Sequence, residues 1–127
     1  MNGSWKLAAV GLAGVVVGAT GLGAARAQGT PRAYIIAEVQ VSDSAAYRPY
    51  IQQTGPIVTK YGGHYLARGG KTESIEGTRP AGRIAVIEFP SMAALLKFEA
   101  SPEYGEVKPI RHRVATSRIY AVEGVAP

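Results

Sequence analysis

The sequence has no cysteine and only two histidines among its 127 residues, and these shortages exclude several kinds of chemistry. Without cysteine, the chain cannot form a disulfide, use a thiolate nucleophile or carry a lipid on an N-terminal cysteine. His64 and His112 alone are too few for the usual zinc site, and no feature supports either of them as a haem ligand. The Gly-x-Ser-x-Gly turn of many serine hydrolases is also missing. We therefore expect neither a metal nor a cofactor.

Clustered positive charge is missing as well. The formal net charge is +5, but lysine and arginine are scattered along the chain, and no nucleic-acid-binding module is recognisable. Gly70-Lys71-Thr72 looks like the end of a phosphate-binding loop, but Tyr65 occupies the position of the required first glycine. Nucleic acid is therefore not expected as a partner. The mild basicity fits either a small anionic ligand or an ordinary solvated surface.

The longest uncharged stretch runs from Leu7 to Ala25, after Lys6 and before Arg26-Ala27. A positive start, an apolar run and small residues two positions apart are typical of a secretory signal peptide, here residues 1–27. The alternative is an uncleaved membrane anchor, because the stretch approaches the roughly 20 residues that span a bilayer. Cleavage would leave a periplasmic or secreted protein without a membrane association, beginning with a short flexible lead, residues 28–33.

Strand and helix patterns alternate through a single predicted domain, residues 34–125. The segments with alternating apolar residues are predicted to be strands: Tyr34–Val41, His64–Arg68, Arg83–Phe89 and Arg118–Gly124. The segments with helical spacing are predicted to be helices: one capped by Ser42 or Asp43 and ending at Tyr61, then Met92–Ala100 and Tyr104–Val114. Pro49 and Gly55-Pro56 are expected to kink the first helix or divide it in two.

The order of these elements is strand, helix, strand, strand, helix, strand, which predicts an α+β fold. Two βαβ units with right-handed crossovers give a ferredoxin-like βαββαβ domain, a four-stranded antiparallel sheet with its helices on one face. The other face would then expose Ile36, Leu66 and Val86. Contiguous exposed apolar residues of this kind usually mark an interface, so we expect a homodimer in which two sheets meet.

Several short motifs form a recognisable pattern: YGGHYLARGG at 61–70, Glu76-Gly77, IEFPS at 87–91, SPEY at 101–104, Arg111 and VEG at 122–124. With these motifs, the chain from Tyr34 to Gly124 resembles domain-of-unknown-function family 1330 (DUF1330), in the dimeric α/β barrel superfamily. The resemblance implies a ferredoxin-like protomer, a homodimer and no established activity. That superfamily includes cofactor-free monooxygenases, lactone isomerases and haem enzymes, so the fold alone does not decide the function.

Two carboxylates are predicted to meet on the open face of the sheet. Glu38 and Glu88 lie on strands that this topology makes adjacent, and Arg68 is expected to reach both of them. Joint ionisation of two such carboxylates needs a nearby cation. His64 lies on the same predicted face, and a histidine beside a carboxylate can act as a general base. The alternative is structural, with ion pairs at a dimer interface and a histidine bonded to backbone or water.

Tyr104 and Arg111 follow the second helix, where they either bind a carboxylate or phenol or anchor their segment to the core. The leading hypothesis is an exported domain that binds a small anionic or aromatic molecule in the cleft between sheet and helices. Catalysis would be of the acid–base type without a cofactor. The predicted catalytic residues are His64 and Glu88, and the predicted ligand-binding residues are Glu38, Arg68, Tyr104 and Arg111. The alternative is a non-catalytic homodimeric interaction module, and the sequence does not decide between the two.

Overall fold

A computed structural model describes residues 29–127, and the predicted signal peptide lies outside them. Four strands and three helices follow one another along this range. The strands are β1 (Ala33–Val41), β2 (His64–Arg68), β3 (Arg83–Phe89) and β4 (Ala115–Glu123). The helices are α1 (Ser44–Lys60), α2 (Met92–Glu99) and α3 (Pro102–Val114). No helix within residues 29–127 is long and apolar enough to cross a membrane.

The strands form one antiparallel sheet in the order β2-β3-β1-β4, which places β1 and β3 at its centre. This is the strand order of a ferredoxin-like βαββαβ fold, and the predicted fold class is confirmed. The last strand starts earlier than predicted, because Ala115 already pairs with Val41. β4 therefore follows α3 without a loop.

Each helix begins where a side chain satisfies a free backbone amide. Asp43 accepts a hydrogen bond from the amide of Ala46, at 3.0 Å, and Ser91 and Ser101 cap α2 and α3 in the same way. Such caps contribute about 1 kcal/mol each. Pro102 follows its cap directly, at the position where a missing N–H has no cost, so it begins α3.

α1 is one continuous helix, so the prediction that its prolines divide it is wrong. Pro49 and Pro56 each remove one backbone hydrogen bond, but the helix between them is held against the sheet by packing. Its buried residues face the sheet at helical spacing: Tyr47, Tyr50, Thr54 and Val58. Tertiary burial thus outweighs the local cost of two prolines.

The core lies between the helices and one face of the sheet, which we call the covered face. On β1 the covered face carries Ile35, Ala37 and Val39, all at most 6% exposed. The fully buried aromatic rings of Phe89 and Phe98 pack at 5.3 Å between centroids, which joins β3 to α2. Burial of this apolar area is the main stabilising contribution. The opposite face, which we call the open face, is left without helices.

The turn between α1 and β2 depends on two glycines. Gly62 has a φ of +86°, which ends the helix. Gly63 is buried, and a Cβ there would lie 2.7 Å from the ring of Phe89 and 2.9 Å from Val58. A side chain at this position would separate β2 from the core.

A bulge interrupts the pairing of β2 with β3 at Leu66. Tyr65 pairs with Ile87 and Ala67 with Val86, which leaves Leu66 without a partner. Because side chains alternate along a strand, one extra residue moves every later side chain to the opposite face. Arg68 consequently lies on the covered face, whereas the uninterrupted pattern had placed it beside His64 on the open face.

Candidate functional site

A small internal cavity of about 40 Å³ lies between the covered face and the helices. Its walls combine apolar strand residues with phenol rings from α1, β2 and α3: Tyr47, Tyr50, Tyr65 and Tyr104. This volume holds a few water molecules and no more. The inner cavity is therefore mainly apolar, with phenol groups among its wall residues.

A larger outer cavity of about 300 Å³ adjoins the inner one near the end of β1. The two cavities share four wall residues: Val39, Tyr47, Ile51 and Arg83. An engineered apolar cavity of roughly 150 Å³ is enough for benzene, so the outer cavity has room for a larger ring system. The two cavities are therefore neighbours, with these residues between them.

Arg83 lies where the two cavities meet. Its guanidinium carbon is 5.6 Å from the ring centroid of Tyr47. Gly69 makes room for it, because a Cβ at that position would lie 2.5 Å from a guanidinium nitrogen of Arg83. Among the described residues, no carboxylate lies within 4.0 Å of this guanidinium. Arg83 is thus a cation at the cavity wall with its charge uncompensated.

Arg68 covers the inner cavity from the side of β2. Its guanidinium carbon lies 4.1 Å from the ring centroid of Tyr65, and one of its N–H groups donates to the carbonyl of Ile51 at 2.6 Å. This contact links β2 to the middle of α1. To bind an anion, Arg68 would have to give up only its hydrogen bond to the neutral carbonyl of Ile51.

Two tyrosines close the inner end of the cavity. The hydroxyl groups of Tyr50 and Tyr104 share a hydrogen bond of 2.7 Å. Burial, followed by the neighbouring Tyr50 hydroxyl, raises the pKa of Tyr104. Burial also raises the pKa of Tyr47 and Tyr65. These three phenols therefore stay protonated at neutral pH and can donate hydrogen bonds, but they cannot act as bases.

Arg111 lies behind this tyrosine pair, with its guanidinium carbon 5.7 Å from the ring centroid of Tyr50. The residue is 8% exposed, and its Nε–H has no hydrogen-bond partner within residues 29–127. Tyr104 and Arg111 are thus brought together, as the sequence suggested. Both stand on the helix side of the sheet.

His64 and Glu88 meet on the open face, on the far side of the sheet from the cavities. Nε2 of His64 lies 3.0 Å from Oε1 of Glu88, which is also 3.4 Å from the Arg32 guanidinium. The Glu88 side chain is 15% exposed, and that of His64 is 58% exposed. Beside them, desolvation and the nearby Glu88 raise the pKa of Tyr34. The predicted catalytic pair is adjacent but does not line the cleft.

Glu38 does not meet Glu88, so the predicted pair of carboxylates does not form. In the register of β1 with β3, Glu38 lies opposite Ile84, and Glu88 lies opposite Tyr34. Glu38 instead accepts from the amide of Ala81 and from Arg118, at 3.2 Å and 2.8 Å. These two contacts, the amide first, hold its pKa below the usual value. Glu38 is satisfied without a ligand.

The residues missed by the sequence argument are Arg83, Tyr47, Tyr50 and Tyr65. Tyr47 and Tyr50 lie within the predicted first helix, and the excess of seven tyrosines over two phenylalanines is the signal that could have pointed to hydroxyl groups in the core. Arg83 was taken only as the start of a strand. No group of three or more acidic or histidine side chains within the described residues is arranged to hold a metal ion.

The strand order and the position of the helices define a ferredoxin-like α+β domain. A protein of unknown function from Rhodopseudomonas palustris, RPA0582, is similar over 76% of this chain and 85% of its own, at 21% identity and a TM-score of 0.62. SnoaB, a cofactor-independent oxygenase from Streptomyces nogalater, is similar over 77% and 97% of the two chains, at 10% identity and a TM-score of 0.54. At these identities the likeness concerns the fold alone.

The family model for the domain of unknown function DUF1330 matches residues 32–125, and the chain belongs to that family. The resemblance found in the sequence motifs is thereby confirmed. No curated protein matches the chain.

Proposed function

We propose that this domain binds a small aromatic molecule with a single negative charge in the two joined cavities, and that it acts on this molecule without a cofactor. The observation that carries the proposal is the position of Arg83, an uncompensated cation between a cavity of about 300 Å³ and a deeper one lined by phenol rings. Ligand sites are typically apolar clefts with a few well-placed polar groups.

The distribution of charge favours an anion. Arg68 and Arg83 line the inner cavity, and Glu99 is its single acidic wall residue. The carboxylate of Glu99 already lies 3.4 Å from the ammonium of Lys108. A carboxylate or phenolate entering from the outer cavity would meet the guanidinium of Arg83 first, and guanidinium groups bind planar oxyanions in two-point contacts.

The shape and lining favour an aromatic body. Tyr47 forms part of both cavities, and Tyr65 faces the inner one. Aromatic rings pack on each other with a further gain of about 0.5–1.5 kcal/mol beyond area burial. The raised pKa values of these tyrosines keep their hydroxyl groups as donors to the ligand's oxygen atoms.

The proposed chemical role is to hold the bound molecule as its anion. Two guanidinium groups close to a phenol favour its deprotonated form, and protonated tyrosines stabilise the same charge by hydrogen bonds. That SnoaB, which has a similar fold, is a cofactor-independent oxygenase supports the proposal. The acid–base roles predicted for His64 and Glu88 do not contribute to this site and stay predictions for the open face.

Calorimetric titration with 2-naphthoate tests the binding step, on protein obtained by expressing the full chain. We expect Arg83→Gln to weaken binding by about tenfold or more, because a charge-assisted hydrogen bond is lost. Arg79→Gln makes the same change at an exposed loop position and is the matched control. Equal affinities of the two variants, or equally tight binding of neutral 2-naphthamide, would overturn the proposal.

The catalytic part is tested separately with an oxygen electrode and 2-naphthol, with no cofactor added. Oxygen uptake that is lost in Arg83→Gln but kept in Arg79→Gln is the expected result. Binding of naphthoate without any oxygen uptake would reject an oxygenase and leave a binding protein.

We also propose that the open face is covered by a second copy of this chain. Ile36 and Val86 are neighbours on the central strands, and Tyr120, opposite Ile36, is 50% exposed. Leu66 and Val122 extend this apolar patch with exposures of 54% and 48%. Patches of this kind usually mark interfaces, and the dimeric barrels among the similar structures support the same arrangement. Sedimentation equilibrium on the full chain tests it, since a monomer at micromolar concentration would reject it.

A further inference from the structure

A third cavity of about 270 Å³ is a groove under α2 and α3 at the edge strand β4. Its floor is apolar, with Ile35 and Ile119 from the sheet and Leu95 and Leu96 from α2. It borders the inner cavity, because Ile35, Glu99 and Ile119 line both. It is nevertheless distinct from the site around Arg83, because Arg83 lines the other two cavities and not this one.

Arg111 is the unusual residue of this groove. It is buried to more than nine-tenths, lines the groove, and its Nε–H has no acceptor among the described residues. Within residues 29–127, no carboxylate lies within 4.0 Å of its guanidinium. A buried cation without a carboxylate partner is costly. An anion in the groove would compensate this charge.

The other charged groups of the groove do not compensate the charge of Arg111. Lys108 and Glu99 neutralise each other at 3.4 Å, so the charge of Arg111 remains uncompensated. His112 is exposed at the rim and adds positive charge when it is protonated. With one uncompensated cation, the groove suits a ligand with a single negative charge. The volume of the groove lies near the lower end of the range for ligand pockets.

We propose that the groove between α2, α3 and β4 is a second binding site, for a small carboxylate with an apolar body, and that the Arg111 guanidinium binds the carboxylate. The apolar body lies on Leu95, Leu96 and Ile119, and Leu96 is 56% exposed. This site does not depend on the proposed function of the Arg83 cavities. It uses a different cation and a different opening.

Hexanoate is the probe, titrated into protein obtained from the full chain and followed by calorimetry. Arg111→Gln is expected to weaken binding at least about tenfold, because a charge-assisted hydrogen bond is lost. Arg113→Gln makes the same change at an exposed position of α3 and is expected to leave binding within about twofold. Hexanamide, which has the same length without the charge, is expected not to bind.

Two further variants keep the test decisive if Arg111→Gln does not fold. Leu96→Ser changes only the exposed wall of the groove and is expected to weaken hexanoate binding several-fold. The titrations are repeated in Arg83→Gln protein, where the hexanoate binding that depends on Leu96 is expected to persist, which separates this site from the Arg83 cavities. Binding of hexanamide as tightly as hexanoate, or loss of binding in Arg83→Gln but not in Leu96→Ser, would overturn the proposal. If Arg111 served only to support the Tyr50–Tyr104 pair, hexanamide would bind as tightly as hexanoate, or neither molecule would bind.

Discussion

The two sides of the sheet differ in whether their charged groups have an oppositely charged partner. The covered face and its helices hold Arg68, Arg83 and Arg111, none of which has a carboxylate within 4.0 Å among the described residues. The open face holds Glu38 and Glu88, and each of these lies beside a positive or protonatable partner. A charged group with an oppositely charged partner needs no ligand, whereas a cation beside a cavity without such a partner is a candidate for binding an anion.

The presence or absence of an oppositely charged partner distinguishes structural residues from candidate functional ones more clearly than the residue type does. A histidine beside a glutamate looks catalytic in a sequence, but here the pair does not line the cavities described above and lies on the face with an apolar patch that suits a protein partner. A tyrosine or arginine on a buried stripe looks structural, but here these residues line the cavities. The comparison predicts that substitutions on the two faces affect different measurements.

The largest difference is expected between two neighbouring isoleucines of β1. Ile35 is 3% exposed on the covered face, and Ile36 is next to it on the open face. Ile35→Ala should lower the free energy of unfolding by about 2–5 kcal/mol, because it leaves a cavity in the core. Ile36→Ala should cost much less in dilute protein. Chemical denaturation at low concentration measures both, and equal costs would mean that the open face is packed within the protomer.

The next effect concerns the dimer. Val86→Glu places a charge in the apolar patch of the open face, and a two-fold interface brings two such charges near each other. We expect the dissociation constant to rise by about 100-fold or more, since the charges must be desolvated. Gln53→Glu, on the exposed side of α1, is the control. A sedimentation profile identical for the two variants would place the interface elsewhere.

A smaller and more selective effect is expected from His64. Because His64 and the Arg83 cavities lie on opposite faces, His64→Gln should change the affinity for 2-naphthoate by less than about twofold, against about tenfold for Arg83→Gln. Calorimetric titrations of the two variants side by side measure this. A large loss of affinity in His64→Gln would show that the two faces are coupled and that His64 contributes to ligand binding.

Much of the fold was predictable because it depends on local signals. The alternation in Tyr34–Val41 and Arg83–Phe89 identifies the central strands, and Asp43 marks the start of the first helix. Strand order then follows from connectivity and handedness. The continuity of α1 was not predictable, because it results from the burial of Tyr50 and Val58 and not from local propensity.

The site was only half predictable, for a geometric reason. Strict alternation along the strand would put His64 and Arg68 on the same face of the sheet. The bulge at Leu66 moves Arg68 to the other face, and no residue in YGGHYLARGG predicts a bulge. The separation of Glu38 from Glu88 follows from the register of β1 with β3, which depends on the whole sheet. Arg111 was identified as a ligand residue by its type alone. Its burial without a carboxylate partner, which supports that role, is visible only in three dimensions.

The smallest expected effect is a pH dependence that belongs to the satisfied carboxylates. The Ala81 amide and then Arg118 lower the pKa of Glu38, and Lys60 and then the local backbone and Tyr61 lower the pKa of Glu103. Each carboxylate therefore binds a proton less readily in the folded chain than in the unfolded chain. Their contribution to stability is present above the ordinary glutamate pKa of 4.5 and is lost as the pH falls from there through the lowered folded value.

Glu38→Gln should therefore flatten the decline of the unfolding free energy below about pH 5, with little change near pH 7, because the side chain is solvent-screened. Glu73→Gln, the same change in the exposed loop, is the control. Denaturant titrations at a series of pH values measure the slope. A decline as steep in Glu38→Gln as in the control would mean that the contacts of Glu38 with Ala81 and Arg118 do not persist in solution. In that case the open face would also hold an uncompensated charge, and the contrast between the two faces would no longer separate binding groups from structural ones.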